Sequence, residues 1–140
     1  MMRGYDFIWR LARPLLPLML AWRARSGKED AARLTERFGR YDHRTDLPDD
    51  PLWIHAVSVG ETVAGIALAE AIRKTGETAP ILMTTNTVTA AARVAALPAS
   101  LGVTHLYQPL DHPDMVAAFL HRIRPRIGLF IESDFWPTLI

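Results

Sequence analysis

From residue 52 onward, short apolar runs alternate with longer stretches whose apolar residues recur at helical spacing. LWIHAV (52–57) is a run of β-formers, and TVAGIALAEAIRKTG (62–76) follows it with a helical pattern that closes on Arg73, Lys74 and Gly76. PILMTT (80–85) and TAAARVAAL (89–97) repeat the pair, and THLYQP (104–109) and DMVAAFLHRI (114–123) repeat it again. RIGLFIE (126–132) supplies a fourth strand. Strands that alternate with helices in this way predict an α/β fold. It is a Rossmann-like parallel sheet with helices on both faces, joined by right-handed βαβ crossovers.

The first 45 residues follow another pattern. YDFIWRLARPLLPLMLAWRAR is apolar from Phe7 to Trp22 but is broken by Arg10, Arg13, Pro14 and Pro17. A spanning helix needs about 20 apolar residues with few charges, so this run falls short. Bulky Trp22, followed by Arg23 and Arg25, replaces the small-residue cleavage site of a secretory signal. Trp9 and Trp22 sit beside arginines, as residues at a lipid interface do, which predicts a monotopic helical arm in or on a membrane. The competing reading is an amphipathic helix packed on a protein partner or on another part of the same chain. The polar, proline-bounded stretch YDHRTDLPDDP (41–51) separates this arm, residues 1–45, from a body at 46–140.

Charge sharpens that division. The formal net charge is only +1, yet residues 1–45 hold ten Lys/Arg against five Asp/Glu. A basic arm on a mildly acidic body suits an anionic surface. At 140 residues, 49% apolar and 22% charged, the chain suits one compact folded domain. It has no cysteine, so disulfides and thiolate metal sites are excluded. Its five histidines show no HxxxH or HxH spacing, and no metal site or cofactor is expected. Neither GxGxxG nor a P-loop follows the first strand.

In open parallel sheets ligands gather beyond the carboxyl ends of the strands. Ser58, Gly60 and Glu61 follow the first strand; Thr84, Thr85, Asn86 and Thr87 end or follow the second; Asp111 and His112 follow the third; Glu132, Ser133 and Asp134 end or follow the fourth. Hydroxyls and carboxylates gathered on one rim would equip a polyol-binding site. Local explanations compete. Glu61 suits the first turn of a helix with Ser58 as its N-cap, and the TTNTVT threonines suit strand-to-helix capping. His55, inside a strand, suits the core, and Asp111 before His112-Pro113 suits an ordinary helix start. ESDFWP (132–137) places two acids beside two aromatics at a strand end, as a surface facing a ligand or another domain would.

Five co-linear motifs carry a resemblance: RLTERFGR (33–40), HAVSVGET (55–62), TTNTVT (84–89), YQPLDHP (107–113) and RPRIGLFIESDFWPTLI (124–140). Together they resemble the amino-terminal portion of the 3-deoxy-D-manno-octulosonic acid (Kdo) transferases of lipopolysaccharide synthesis. The resemblance implies the acceptor-binding domain of a two-Rossmann-domain (GT-B type) glycosyltransferase at the cytoplasmic face of the inner membrane. Kdo would pass from CMP-Kdo to the glucosamine disaccharide of a lipid A precursor (lipid IVA). CMP-Kdo would bind a second domain that in the family continues after WPTLI, so the chain is expected to be an incomplete, inactive piece of an inverting enzyme. Glu61 falls on the family's catalytic base in the S-V-G-E motif. A carboxylate there would take the proton of the attacking sugar hydroxyl, and Gly60 would let the backbone approach the sugar. Glu132 matches the first acid of the E-x-E-x-W-P motif and is expected to position the acceptor or support the domain interface. Ser58, Thr84, Thr85 and Thr87 are further candidate acceptor contacts. The expected partners are the donor, the lipid A precursor and a membrane surface, not nucleic acid.

Three positions depart from the family pattern: Ala90 stands for glycine, Asp134 for glutamate and Thr138 for asparagine. They bear on acceptor detail rather than reaction type. Two alternatives stand beside this reading. One is a non-catalytic acceptor-binding membrane module; the other is a different nucleotide-sugar enzyme of the same architecture, such as an epimerase or an amino-sugar transferase.

Overall fold

The computed structural model describes residues 2–131. Its centre is a four-stranded, all-parallel sheet of β1 (Leu52–His55), β2 (Ile81–Thr85), β3 (Val103–Tyr107) and β4 (Ile127–Phe130), in the order β3-β2-β1-β4. Ahead of it come α1 (Met2–Ala12), α2 (Leu16–Arg25) and the short α3 (Leu34–Arg37), and between the strands run α4 (Val59–Lys74), α5 (Val88–Ala95) and α6 (Pro113–Ile123). Each strand lies within three residues of its expected bounds at either end. The expected helices are present, with α4 starting three residues earlier than its apolar pattern.

Side chains alternate across a strand, so the sheet has two cores. Ile54, Ile81 and Met83 pack with Ala69 of α4 and Val94 of α5. On the other face Trp53, Leu82 and Leu106 pack with Val116, Phe119 and Ile123 of α6. The α6 residues fall at helical spacing, and each large side chain fully buried contributes about 1.5–3 kcal/mol. Tyr41 and Leu47 belong to this second cluster. The polar stretch around residue 45 is therefore not a break in the packing, because its apolar residues fold into the body.

Helix starts follow their local chemistry. His112 caps α6 by accepting from the Asp114 amide at 3.2 Å, with Pro113 in the first turn. Gly39 ends the α3 turn at φ +70°, where a Cβ would lie 2.8 Å from the Met115 carbonyl oxygen of α6, so both backbone conformation and close approach select glycine.

A charged centre fastens α3 to β3. Glu36, fully buried, accepts from Arg33 Nε and Nη2 at 2.9 and 2.8 Å, from Arg44 Nη1 at 2.8 Å and from the Tyr107 amide at 2.9 Å. Arg33 and Arg44 also donate to the His105 carbonyl, at 3.0 and 3.2 Å. Burial works to raise the Glu36 pKa, but the hydrogen bonds from Arg33 and Tyr107, the Arg33 charge and Arg44 outweigh it, so the carboxyl is held below its ordinary value.

Beside this centre His105 is pushed down to about 3, first by burial and then by the Arg33 charge, with Arg44 adding to both against the pull of Glu36. Between its unfolded value of 6.5 and its folded value, the unfolded chain binds more protons, so stability falls as pH falls. Glu36, also depressed, adds to the loss below its unfolded value of 4.5. Urea unfolding should therefore show stability declining from pH 6.5 downward, with a limiting slope for His105 of about 1.4 kcal/mol per pH unit. His105→Gln should flatten the decline between pH 6 and pH 5. An unchanged slope in that variant would assign the acid sensitivity to other groups.

Candidate functional site

The carboxyl ends of β1, β2 and β3 open onto one rim, and α4 begins there. Its first turn closes a capping box. Ser58 Oγ accepts from the Glu61 amide at 3.3 Å, and Glu61 Oε2 accepts from the Val57 and Ser58 amides at 2.6 and 3.4 Å. Glu61 is half-buried. Its Oε1 makes no hydrogen bond among the described residues, which leaves one carboxylate oxygen of a fixed side chain available at the rim. The amino-terminal end of α4 adds a positive potential there that favours anionic charge. Ser58 and Gly60 are exposed. Among the described residues, a Cβ built on Gly60 would meet only Ser58 Oγ, at 4.0 Å.

The threonines divide. Thr84 and Thr85 lie within β2, fully buried. Trp53 Nε1 donates to Thr84 Oγ1 at 2.8 Å, and His55 Nδ1 lies 2.7 Å from the same oxygen. Thr85 Oγ1 pairs with His105 Nε2 at 2.9 Å. The physical reason is position: β2 is an interior strand covered on both faces, so neither hydroxyl reaches the rim as the sequence led one to expect. Thr87, half-buried, does lie on the rim, where its Oγ1 caps α5 by accepting from the Ala90 amide at 3.1 Å. Ala90 itself is fully buried. Glu132, with the departures at Asp134 and Thr138, lies outside the described residues.

Arg37 was not among the expected site residues, although it falls in the RLTERFGR motif. From α3 it reaches under the rim, and its Nη1 donates to Asn86 Oδ1 at 2.9 Å and to the Gln108 carbonyl. These bonds tie the ends of β2 and β3 together. Glu29, itself buried, lies 3.5 Å from Arg37 Nε and 3.1 Å from Arg23 Nε of α2. Burial lowers the Arg37 pKa, and the Glu29 charge offsets part of that shift. Above Arg37 a pocket of about 90 Å³ is lined by Trp9, Asn86, Gln108, Pro109 and Asp111.

The arm presents a different surface. Phe7, Ile8 and Leu11 of α1, Leu15 in the connecting turn, and Leu18 and Trp22 of α2 are each more than three-fifths exposed, while Leu16 and Leu20 are buried. Among the described residues no helix is long and apolar enough to cross a membrane.

The comparisons with known proteins converge. The profile of the 3-Deoxy-D-manno-octulosonic-acid transferase (kdotransferase) family matches residues 32–140. The chain is 36% identical over 141 residues to a protein of Arabidopsis thaliana named "Probable 3-deoxy-D-manno-octulosonic acid transferase, mitochondrial", with 96% of this chain and 31% of that protein covered. It is 35% identical to the 3-deoxy-D-manno-octulosonic acid transferase of Rickettsia bellii, covering all of this chain and 33% of that one. Against the transferase of the same name from Bordetella pertussis it is 36% identical, covering 91% of this chain and 32% of that one. The chain thus spans about a third of the length of the curated relatives it matches. Profile and relatives agree: this chain belongs to the 3-deoxy-D-manno-octulosonic acid transferase family.

Proposed function

We propose that this chain forms the amino-terminal, acceptor-binding part of an enzyme that transfers Kdo from CMP-Kdo to the glucosamine disaccharide of a lipid A precursor. Family membership across residues 32–140 supports the reaction. The observation that carries the site is Glu61, a carboxylate fixed by two backbone amides at the strand rim, whose second oxygen makes no hydrogen bond among the described residues. On this reading Oε1 accepts the proton of the attacking sugar hydroxyl as that oxygen bonds to the anomeric carbon of Kdo and CMP departs. A single displacement inverts the anomeric centre. Ser58, Gly60 and Thr87 lie just beyond the carboxyl ends of β1 and β2 and would contact the acceptor. Glu132 would position the acceptor or support the interface with a donor-binding second domain, without which this piece would not turn over. The test is CMP-Kdo-dependent glycosylation of a lipid A precursor by the full-length parent, wild type against Glu61→Gln, with acceptor binding measured in parallel.

The arm would hold the enzyme on an anionic membrane at the cytoplasmic face, where its acceptor lies. The apolar row of Phe7, Ile8, Leu11, Leu15, Leu18 and Trp22, interrupted by Arg10 and Arg13 and followed by Arg23 and Arg25, supports this. Burying a large apolar side chain contributes about 1.5–3 kcal/mol, so replacing Leu15, Leu18 and Trp22 together with Ser should weaken partitioning onto phosphatidylglycerol vesicles more than about tenfold. Added salt should weaken wild-type binding further. Vesicle sedimentation checks both. Equal binding by the triple variant would favour packing of the arm on protein.

A further inference from the structure

Resting on the proposed role of Glu61, we propose that Asn86, held by Arg37, is a positioning residue for the Glu61 carboxylate, so that a side chain from α3 helps to aim the base. The connection is a run of hydrogen bonds through a single peptide unit. The peptide between Val57 and Ser58 accepts at its carbonyl from the Asn86 amide, at 3.4 Å. The same unit donates its Ser58 amide to Glu61 Oε2 at 3.4 Å, while the preceding Val57 amide donates to that oxygen at 2.6 Å. Asn86 therefore braces, from the β2 side, the turn whose amides orient Glu61.

What fixes Asn86 is Arg37. Its Nη1 donates to Asn86 Oδ1 at 2.9 Å and to the Gln108 carbonyl, so the guanidinium locates the β2–α5 turn against the end of β3. Buried Glu29, 3.5 Å from Arg37 Nε, is its charge partner and makes no hydrogen bond to that nitrogen. A planar guanidinium donates in fixed directions, so two acceptors on one nitrogen define its orientation more closely than a lysine could. Asn86 is the only amide side chain in TTNTVT, and the run continues through its backbone to the Glu61 turn. A base must stand within about 0.5 Å of its productive place, so a loosened turn costs rate without removing any group that touches substrate.

The test is steady-state kinetics of the full-length parent with Asn86→Ala, Asn86→Asp, Glu61→Gln and the Asn86→Ala/Glu61→Gln pair. Asn86→Ala removes the acceptor for Arg37 but keeps the backbone amide. It should lower kcat by about 3- to 10-fold with the acceptor KM little changed. Asn86→Asp keeps an acceptor for the guanidinium and should recover most of the loss. In the Glu61→Gln background Asn86→Ala should have no further effect, because there is no base left to aim. A contact to substrate, or a fold defect, would persist in that background. Unchanged kcat in Asn86→Ala, no recovery in Asn86→Asp, or a full additive loss in the pair would each overturn the proposal. Full turnover in Glu61→Gln would overturn the base assignment and the brace together. Lost turnover in Glu61→Gln with none lost in Asn86→Ala would overturn the brace alone.

Discussion

Glu61→Gln in the full-length parent should lower turnover by about 10²- to 10⁴-fold, the range that general-base help contributes. Acceptor binding should remain. Glutamine at the third helical position still closes a capping box, since its amide oxygen can accept from the Val57 and Ser58 amides. The fold should therefore melt near the wild-type temperature, and the loss should fall on kcat. Glu61→Ala separates the two duties of the side chain. It removes the base and the carboxylate half of the capping box together while Ser58 Oγ still caps the helix, and that loss should cost about 1 kcal/mol of stability. Turnover within twofold of wild type in Glu61→Gln would return the carboxylate to a purely structural part in the first turn of α4.

Glu36→Ala should destabilise the chain by about 3–5 kcal/mol, the usual cost of removing one partner from a buried ion pair. Four donors converge on this carboxylate, from Arg33, Arg44 and the Tyr107 amide, and water cannot replace it at full burial. Such a loss is a large share of the 5–15 kcal/mol typical of a folded domain. Glu36→Gln keeps the volume and one acceptor but loses the charge, so it should fall between wild type and alanine. Urea midpoints with unchanged slopes would measure both. A cost below about 1 kcal/mol for alanine would mean that the arginines find water once the carboxylate is gone.

How far the sequence disclosed this arrangement depends on the reach of the interaction concerned. Strands and helices were legible because their apolar periods are local, and so was the capping box, which spans only Ser58 to Glu61. Thr84 and Thr85 misled because they stand at the end of a strand in the sequence, whereas β3 and β1 flank them on both sides in the fold. The Arg33–Glu36 pair reads locally as a surface pairing three residues apart. Only contact with Tyr107 and His105, some seventy residues away, makes it a buried hub. Sequence separation also hid Arg37, whose partners Asn86 and Gln108 follow two different strands, 49 and 71 residues away. Placing Arg33, Glu36, Arg37 and Arg44 in a basic arm at 1–45 followed from the polar, proline-bounded stretch at 41–51 and from charge counting, neither of which distinguishes a solvated arginine from one held against a carboxylate.

The Glu36 centre has a bearing on aggregation as well. β3 stands at one edge of the sheet, so the outward amide of Tyr107 and carbonyl of His105 would, if bare, be a template on which another chain could add a strand. Glu36 occupies the amide, and Arg33 and Arg44 occupy the carbonyl. Charged side chains thus close the edge without a further strand, and a chain in which the α3 segment detaches would expose hydrogen-bonding groups that promote self-association.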